Sequence, residues 1–206
     1  FSIKVPGDFS SAIFLIVQTL LTTKSSLLIK SVCVNQSRIG AYYILKAMGA
    51  QIRMLNKRKY FNEDVADLFV RSSKLKGVVC PKKLIVKSVD DLPAIWIACA
   101  LARGQSYFKG ISELRLKESD RIKTMSENLN RFGIKTHSTK DSLKIYGNPK
   151  IKVDKLIKIP ATLDHRCCMC MHVFANVTGS KVLIKGFNTV ASSFPNWLKL
   201  QQEKFG

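Results

Sequence analysis

The sequence predicts an α/β fold: a single lobe with buried helices in its middle and short sheets outside. Three observations predict it. One order of elements, apolar helix, strand, second helix, then further strand, recurs three times along the 206 residues. Each apolar helix follows an acidic residue suited to cap it: Asp8, Asp90 with Asp91, and Asp164. The second helices stop at glycines, Gly49, Gly133 and Gly206, the residue that most easily takes the left-handed backbone of a helix end. The expected organisation is one lobe over 1–206, with internal repeats at about 8–80, 88–150 and 160–206, the last incomplete.

In the first copy, Asp8 and Ser10 precede an apolar helix from Ser11 to about Thr22, and the β-branched and apolar run Ser26 to Val34 reads as a strand. Arg38 to Met48 has helical spacing and stops at Gly49; Gln51 to Leu55 and Val65 to Arg71 read as strands. In the second copy, Asp90 and Asp91 cap a helix from Leu92 to Ala102, closed by Gly104. Ser106 to Lys109 is a strand, Glu118 to Phe132 a helix, and Ile134 to His137 pairs with Ser142 to Tyr146. In the third, Asp164 caps a helix from His165 to Val177, Lys181 to Lys185 is a strand, and Phe194 to Phe205 is a helix.

Composition narrows the function. The formal charge is +20, from 34 Lys and Arg against 14 Asp and Glu, which fits nucleic acid, an acidic surface or small anionic substrates. The lysines are scattered, aromatic residues do not interleave with them as on a single-strand platform, and no nucleic-acid motif is present. The longest apolar run, Ala12 to Leu21, is too short to span a bilayer. The chain starts at Phe1 with no basic segment ahead of an apolar run, so no secretory leader and a cytoplasmic location are expected, as part of something longer. Six cysteines form no CxxC pair. Cys167 and Cys170 share a helix face, but a metal site would need further ligands such as His172, so they read as small buried apolar residues and no metal is expected.

The chemistry concentrates in ELRLKESDRI, Glu113 to Ile122. It sets Lys117, Glu118, Asp120 and Arg121 at an expected helix start, with Glu118 and Arg121 three apart on one face. Helix N-termini attract anions, added cations strengthen such a seat, and a carboxylate beside it can move protons on a bound anion. A solvated capping segment with surface ion pairs is the plain structural alternative. If the repeats are real, three helix starts face one region and make a seat for a multiply charged anion.

At this point the motifs carry a resemblance. VPGDFSSAIFLI (5–16), NEDVADLFVRSSKLKGV (62–78), SVDDLPAIWIACALARG (88–104), ELRLKESDRI (113–122), LDHRCCM (163–169) and SSFPNW (192–197) run in the order of the 5-enolpyruvylshikimate-3-phosphate synthase family. The chain resembles most of that family's C-terminal lobe, with EDVADL and RSSKLKG similar to the bacterial class II. The resemblance implies one lobe of an inside-out α/β barrel built from three βαβαββ-type units, with substrates held against a second, N-terminal lobe. It implies transfer of an enolpyruvyl group from phosphoenolpyruvate to the 5-hydroxyl of shikimate 3-phosphate, releasing phosphate, on the shikimate pathway to chorismate and aromatic amino acids. It implies no cofactor, no nucleic acid or membrane partner, and a monomer at full length.

The resemblance also assigns roles. Asp90 matches the aspartate that contacts the shikimate hydroxyls and serves as base, against a helix cap as the structural alternative. Glu118 matches the proton donor to the methylene carbon. Lys117 reaches the shikimate 3-phosphate and joins in proton transfer. Arg121 and Arg166 match the arginines on the phosphoenolpyruvate carboxylate, against surface pairs with Asp120 or Asp164. His165 is expected to orient or hydrogen-bond the ligand, and Glu113 falls where other subgroups have an asparagine near the shikimate ring. Ser192 stands where some members have a lysine, so the cation on the leaving phosphate is expected from the other lobe. The rivals are the related transferase acting on UDP-N-acetylglucosamine, and a basic nucleic-acid-binding or assembly remnant.

Overall fold

Three helices occupy the middle of the fold because each carries more apolar surface than it can leave in water. Every residue of α4 (Leu92–Ala100) is buried, as are nearly all of α1 (Phe9–Leu21) and the apolar side of α6 (His165–Thr178). The three pack against one another in all pairs. Phe14 and Val17 of α1, Ala94 and Ile97 of α4, and Cys170 and Val173 of α6 line one seam. Each pair lies at a similar depth below its helix start, so the helices run parallel and their N-termini meet at one end. The structure, a computed structural model, describes residues 4–205, and Gly206, expected to end the last helix, lies outside them.

Sheets wrap this core. β1 (Ser26–Cys33), β2 (Gln51–Tyr60) and β3 (Glu63–Arg71) form an antiparallel sheet of order β1-β3-β2. β4 (Gly104–Lys109), β5 (Thr136–Ser138) and β6 (Ser142–Gly147) repeat it as β4-β6-β5. Each sheet's outer connection carries one helix, α2 (Gly40–Ala47) or α5 (Arg121–Arg131). Both helices stop at glycines in the left-handed region, Gly49 (φ 93°) and Gly133 (φ 88°), where a side chain would be strained. In the third unit β7 (Ile157–Ile159) and β8 (Val182–Ile184) pair in parallel across α6, and α7 (Trp197–Phe205) docks Trp197 edge-on against Phe14 and Phe194.

The element order read from the sequence omits a feature that explains β7. Extended segments before α1 and α4 also pair in parallel with the strand after the helix, at Gly7 with Val32, Lys76 with Arg103 and Val79 with Tyr107. Each unit therefore opens with a parallel crossover around its core helix. These leading segments are short and lack alternation, so periodicity does not reveal them. A short helix α3 (Lys82–Val86) and 3-10 turns at Val89–Asp91, Ser112–Leu116 and Phe187–Ser192 were also outside the expectation.

Two boundaries differ with consequence. The helix expected from Glu118 starts at Arg121, because the Asp120 side chain accepts from Lys123 N and caps it there. Lys117 and Glu118 thus sit in the loop ahead of α5, free of helical geometry. β2 runs on past Leu55 to Tyr60: Asn56 takes a left-handed backbone (φ 49°) in a bulge, after which pairing with β3 resumes.

Candidate active site

The meeting of three helix starts brings together Asp90, Glu113, Lys117, Glu118, Arg121, His165 and Arg166, the residues given a substrate role from the sequence, and leaves out Ser192. Asp8 and Asp164 are the N-cap residues of α1 and α6; at α4 that position belongs to Asp91, with Asp90 one residue earlier in the 3-10 turn. The capping role weighed for Asp90 is not taken up by its side chain, which faces the loop before α5 instead.

Arg121 is the hub. Its side chain is 1% exposed, and each guanidinium nitrogen meets a carboxylate: Nε donates to Asp164 Oδ2 at 2.8 Å, Nη1 to Asp90 Oδ1 at 3.0 Å, and Nη2 to Glu118 Oε2 at 2.5 Å. The pair with Asp164, weighed as the structural alternative to ligand binding, does form, but in the interior rather than on the surface. Asp120 pairs instead with Arg115, which clamps the β5–β6 turn through the Thr139 and Lys140 carbonyls. Asp164 is fully buried and does two jobs: Oδ1 caps Arg166 N and Cys167 N, while Oδ2 takes Arg121 and the Ser119 hydroxyl. Burial pulls its carboxyl up, but Arg121 pulls it down further, so it lies below the usual carboxylate range.

Arg166 is held differently. Only Nη1 has partners among the described residues: the Asp90 carbonyl at 3.0 Å, the Ser10 carbonyl at 3.4 Å, and the Asp91 carboxylate at 3.8 Å. Nε and Nη2 are left open, an edge suited to a bidentate carboxylate. Lys117 Nζ lies 3.4 Å from Asp90 Oδ1 and 3.1 Å from Glu113 Oε1. The Glu113 hydrogen bond outweighs a partial burial and raises the Lys117 pKa, which keeps the ammonium charged. Burial acts to raise Asp90, but Lys117, Arg166 and Arg121 together lower it, so it is an ionised carboxylate at neutral pH with one oxygen tied. His165 is half-buried; burial, then Arg166, lowers its pKa, so the ring is held neutral. It lines a groove of about 240 Å³ with Asp8, Ser10, Arg166, Met169 and Phe194.

Asp91 and the Ser10 carbonyl were missed as parts of the site, and Asp164 was read only as a helix cap and a surface partner. The LDHR motif names the position of Asp164, but its second job depends on Arg121 arriving from another unit. Ser192 lies exposed in the last 3-10 turn, bonded to the Thr189 carbonyl. Larger grooves, of about 540 and 370 Å³, run along β2 and contain none of these residues. The site is shallow because it is an open face, and its charge pattern rather than its depth marks it. Among the described residues no group of His, Cys, Asp or Glu has metal-binding geometry, five of the six cysteines are buried, and no helix is long and apolar enough to cross a membrane.

Comparisons with known proteins agree with this architecture. Residues 1–200 match the family model described as EPSP synthase (3-phosphoshikimate 1-carboxyvinyltransferase). A 3-phosphoshikimate 1-carboxyvinyltransferase of Legionella pneumophila (strain Lens) is 40% identical over 196 residues, covering 95% of this chain and 44% of the relative. The solved EPSP synthase of Acinetobacter baumannii superposes with a TM-score of 0.88 at 34% identity, over 98% of this chain and 47% of that one. The enolpyruvyl transferase NikO of Streptomyces tendae, at 14% identity and a TM-score of 0.73 over 95% of this chain and 42% of that one, shares the fold. The chain spans a little under half the length of these relatives.

Proposed function

Because the chain belongs to the EPSP synthase family, we propose that it is one lobe of an enzyme that moves the enolpyruvyl group of phosphoenolpyruvate onto the 5-hydroxyl of shikimate 3-phosphate. The observation that carries this reading is the open Nε–Nη2 edge of Arg166 beside the ionised Asp90, where three helix N-termini converge. The positive helix ends and the guanidinium suit a carboxylate. In the proposed sequence, Arg166 holds the phosphoenolpyruvate carboxylate and Lys117 steadies both Asp90 and the phosphorylated acceptor. Asp90 takes the proton of the 5-hydroxyl as the hydroxyl oxygen bonds to C2 of phosphoenolpyruvate, while Glu118, swung off Arg121 and in its acid form, gives a proton to C3. The tetrahedral adduct then returns a C3 proton to Glu118 and loses phosphate from C2, the phosphate carrying off the proton held by Asp90, which restores the double bond and both side chains. His165, neutral, serves as a hydrogen-bonding wall, and Glu113 sets the position of Lys117.

Arg121 enters this scheme through its partners. For it to hold the donor carboxylate directly, one of its three carboxylates must yield, and half-exposed Glu118 is the one with room to swing. The matching KESDR and LDHR segments favour shikimate 3-phosphate over a UDP-sugar acceptor. The work belongs in the cytoplasm, by a monomer at full length, with no nucleic acid involved. The test is steady-state phosphate release by the full-length protein. Glu118→Gln should cut kcat with little change in either KM, because the lost proton transfer matters only in the transition state. Near-normal kcat in that variant removes Glu118 from the scheme.

A further inference from the structure

We propose that Asp91 is a positioning residue for Arg166, a buried counter-charge that keeps the arginine's open edge toward the donor carboxylate. The inference rests on the reading of Arg166 as the donor-binding arginine. Asp91 is 2% exposed and occupies the N-cap position of α4, yet its side chain makes no capping bond. Its Oδ1 has no hydrogen-bond partner among the described residues and lies 3.8 Å from Arg166 Nη1. A buried carboxylate oxygen without a partner is costly to maintain, and helix capping does not account for it. Burial pushes the Asp91 carboxyl up to about 6; the Ser10 hydroxyl and Arg166 pull it down, and Asp8 and Asp90 add repulsion.

Geometry shows what the charge does. The two carbonyls on Nη1, from Ser10 and Asp90, are neutral and set direction only. Asp91 supplies the one ionic contact on that side of Arg166. Without it the guanidinium is drawn toward the half-exposed Asp90 carboxylate, whose charge it already feels. That movement would turn the open edge away from the ligand and neutralise the base at the same time.

The test is kinetic, on the full-length protein, with each substrate varied in turn. Asp91→Asn keeps the shape and removes the charge. It should raise KM for phosphoenolpyruvate about tenfold, the loss that follows when one charge-assisted contact is weakened, with KM for shikimate 3-phosphate within about twofold and the thermal midpoint unchanged. Asp91→Glu should recover part of the loss. An unchanged KM for phosphoenolpyruvate in Asp91→Asn overturns the proposal. So does an equal rise in both KM values with a lowered thermal midpoint that Asp91→Glu does not repair, since that pattern is a folding defect. A wild-type protein that releases no phosphate from this substrate pair overturns the enolpyruvyl-transfer reading itself, and this inference with it.

Discussion

Arg121 and Arg166 share a charge and a neighbourhood but have opposite uses. Arg121 is sealed between three carboxylates, one of them the fully buried Asp164. Arg166 is tied at one nitrogen and open at the others. Their substitutions should therefore separate. Arg121→Ala strands Asp164 in the interior, and breaking a buried pair this way costs about 3–5 kcal/mol of folding stability. Arg166→Ala gives up only a long 3.8 Å contact with buried Asp91 and two carbonyl bonds, so it costs less stability than Arg121→Ala, and it weakens phosphoenolpyruvate binding by about 1.5–3 kcal/mol, the worth of a hydrogen bond to a charged group. Urea midpoints and KM values, measured on both variants, decide it; equal urea midpoints would show that Arg121 is not the structural hub. That Asp90, Lys117, Glu118, Arg121, His165 and Arg166 gather at one end of the fold was legible in their motifs and helix starts. Which arginine is saturated was not, because the buried partner that seals Arg121, Asp164, comes from a distant stretch of the chain, as do the Ser10 and Asp90 carbonyls that hold Arg166.

Among the elements, the first sheet carries a device that local patterning hides. β1 and β2 both bulge opposite Asp67 of the central strand, with Ser31 and Asn56 in left-handed backbone conformations (φ 56° and 49°). The Asp67 carboxylate takes Ser31 N at 2.8 Å, Asn56 Nδ2 at 2.9 Å and Arg58 Nη2 at 2.9 Å, so one side chain pins both bulges. The Asn56, Ser31 and Arg58 bonds bring its pKa down to about 2. A depressed carboxylate stabilises the fold above its ordinary range, and that contribution is lost as pH falls through about 2. Tyr60 closes the cluster: bonds to Ser31 and Arg58, with Lys4 beyond them, lower its phenol to about 8. An ultraviolet titration of the folded chain should show one of its five tyrosines ionising near 8, and Tyr60→Phe should abolish that step. The same depression makes the fold gain stability as pH rises from about 8 toward the ordinary tyrosine range, and lose it on the way back. If all tyrosines titrate together at about 10, the cluster does not hold in solution. A bulge inserts a residue and inverts the alternation, which is why β2 read from the sequence stopped at Leu55. Helix and sheet types were otherwise legible, because α1 and α4 are long apolar runs and β1 alternates between exposed and half-buried positions.

At the scale of the molecule, the repeat decides where the chemistry goes. Three parallel core helices can meet at one end only if each unit makes the same crossover, and we propose the units near 8–80, 88–150 and 160–206 as successive copies of one plan. Their convergence gives positive helix ends, but the side chains around them do not finish the task. Asp90, Asp91, Glu113, Glu118 and Asp164 outnumber Lys117, Arg121 and Arg166. A chain of formal charge +20 thus presents a face whose own carboxylates exceed its cations, and most of the excess lysines lie elsewhere. In the proposed reaction, shikimate 3-phosphate and phosphoenolpyruvate would each bring a phosphate and a carboxylate to this face. Further cations, and a cover that excludes water from the half-exposed Asp90 and Glu118, have to come from outside these residues. The 206-residue chain by itself should therefore release no phosphate from the two substrates, while the same mixture supplied with the other half of a full-length relative of matching architecture should. Near-normal turnover by the chain alone would show that the open face is already a complete site, and would remove the need for a second lobe.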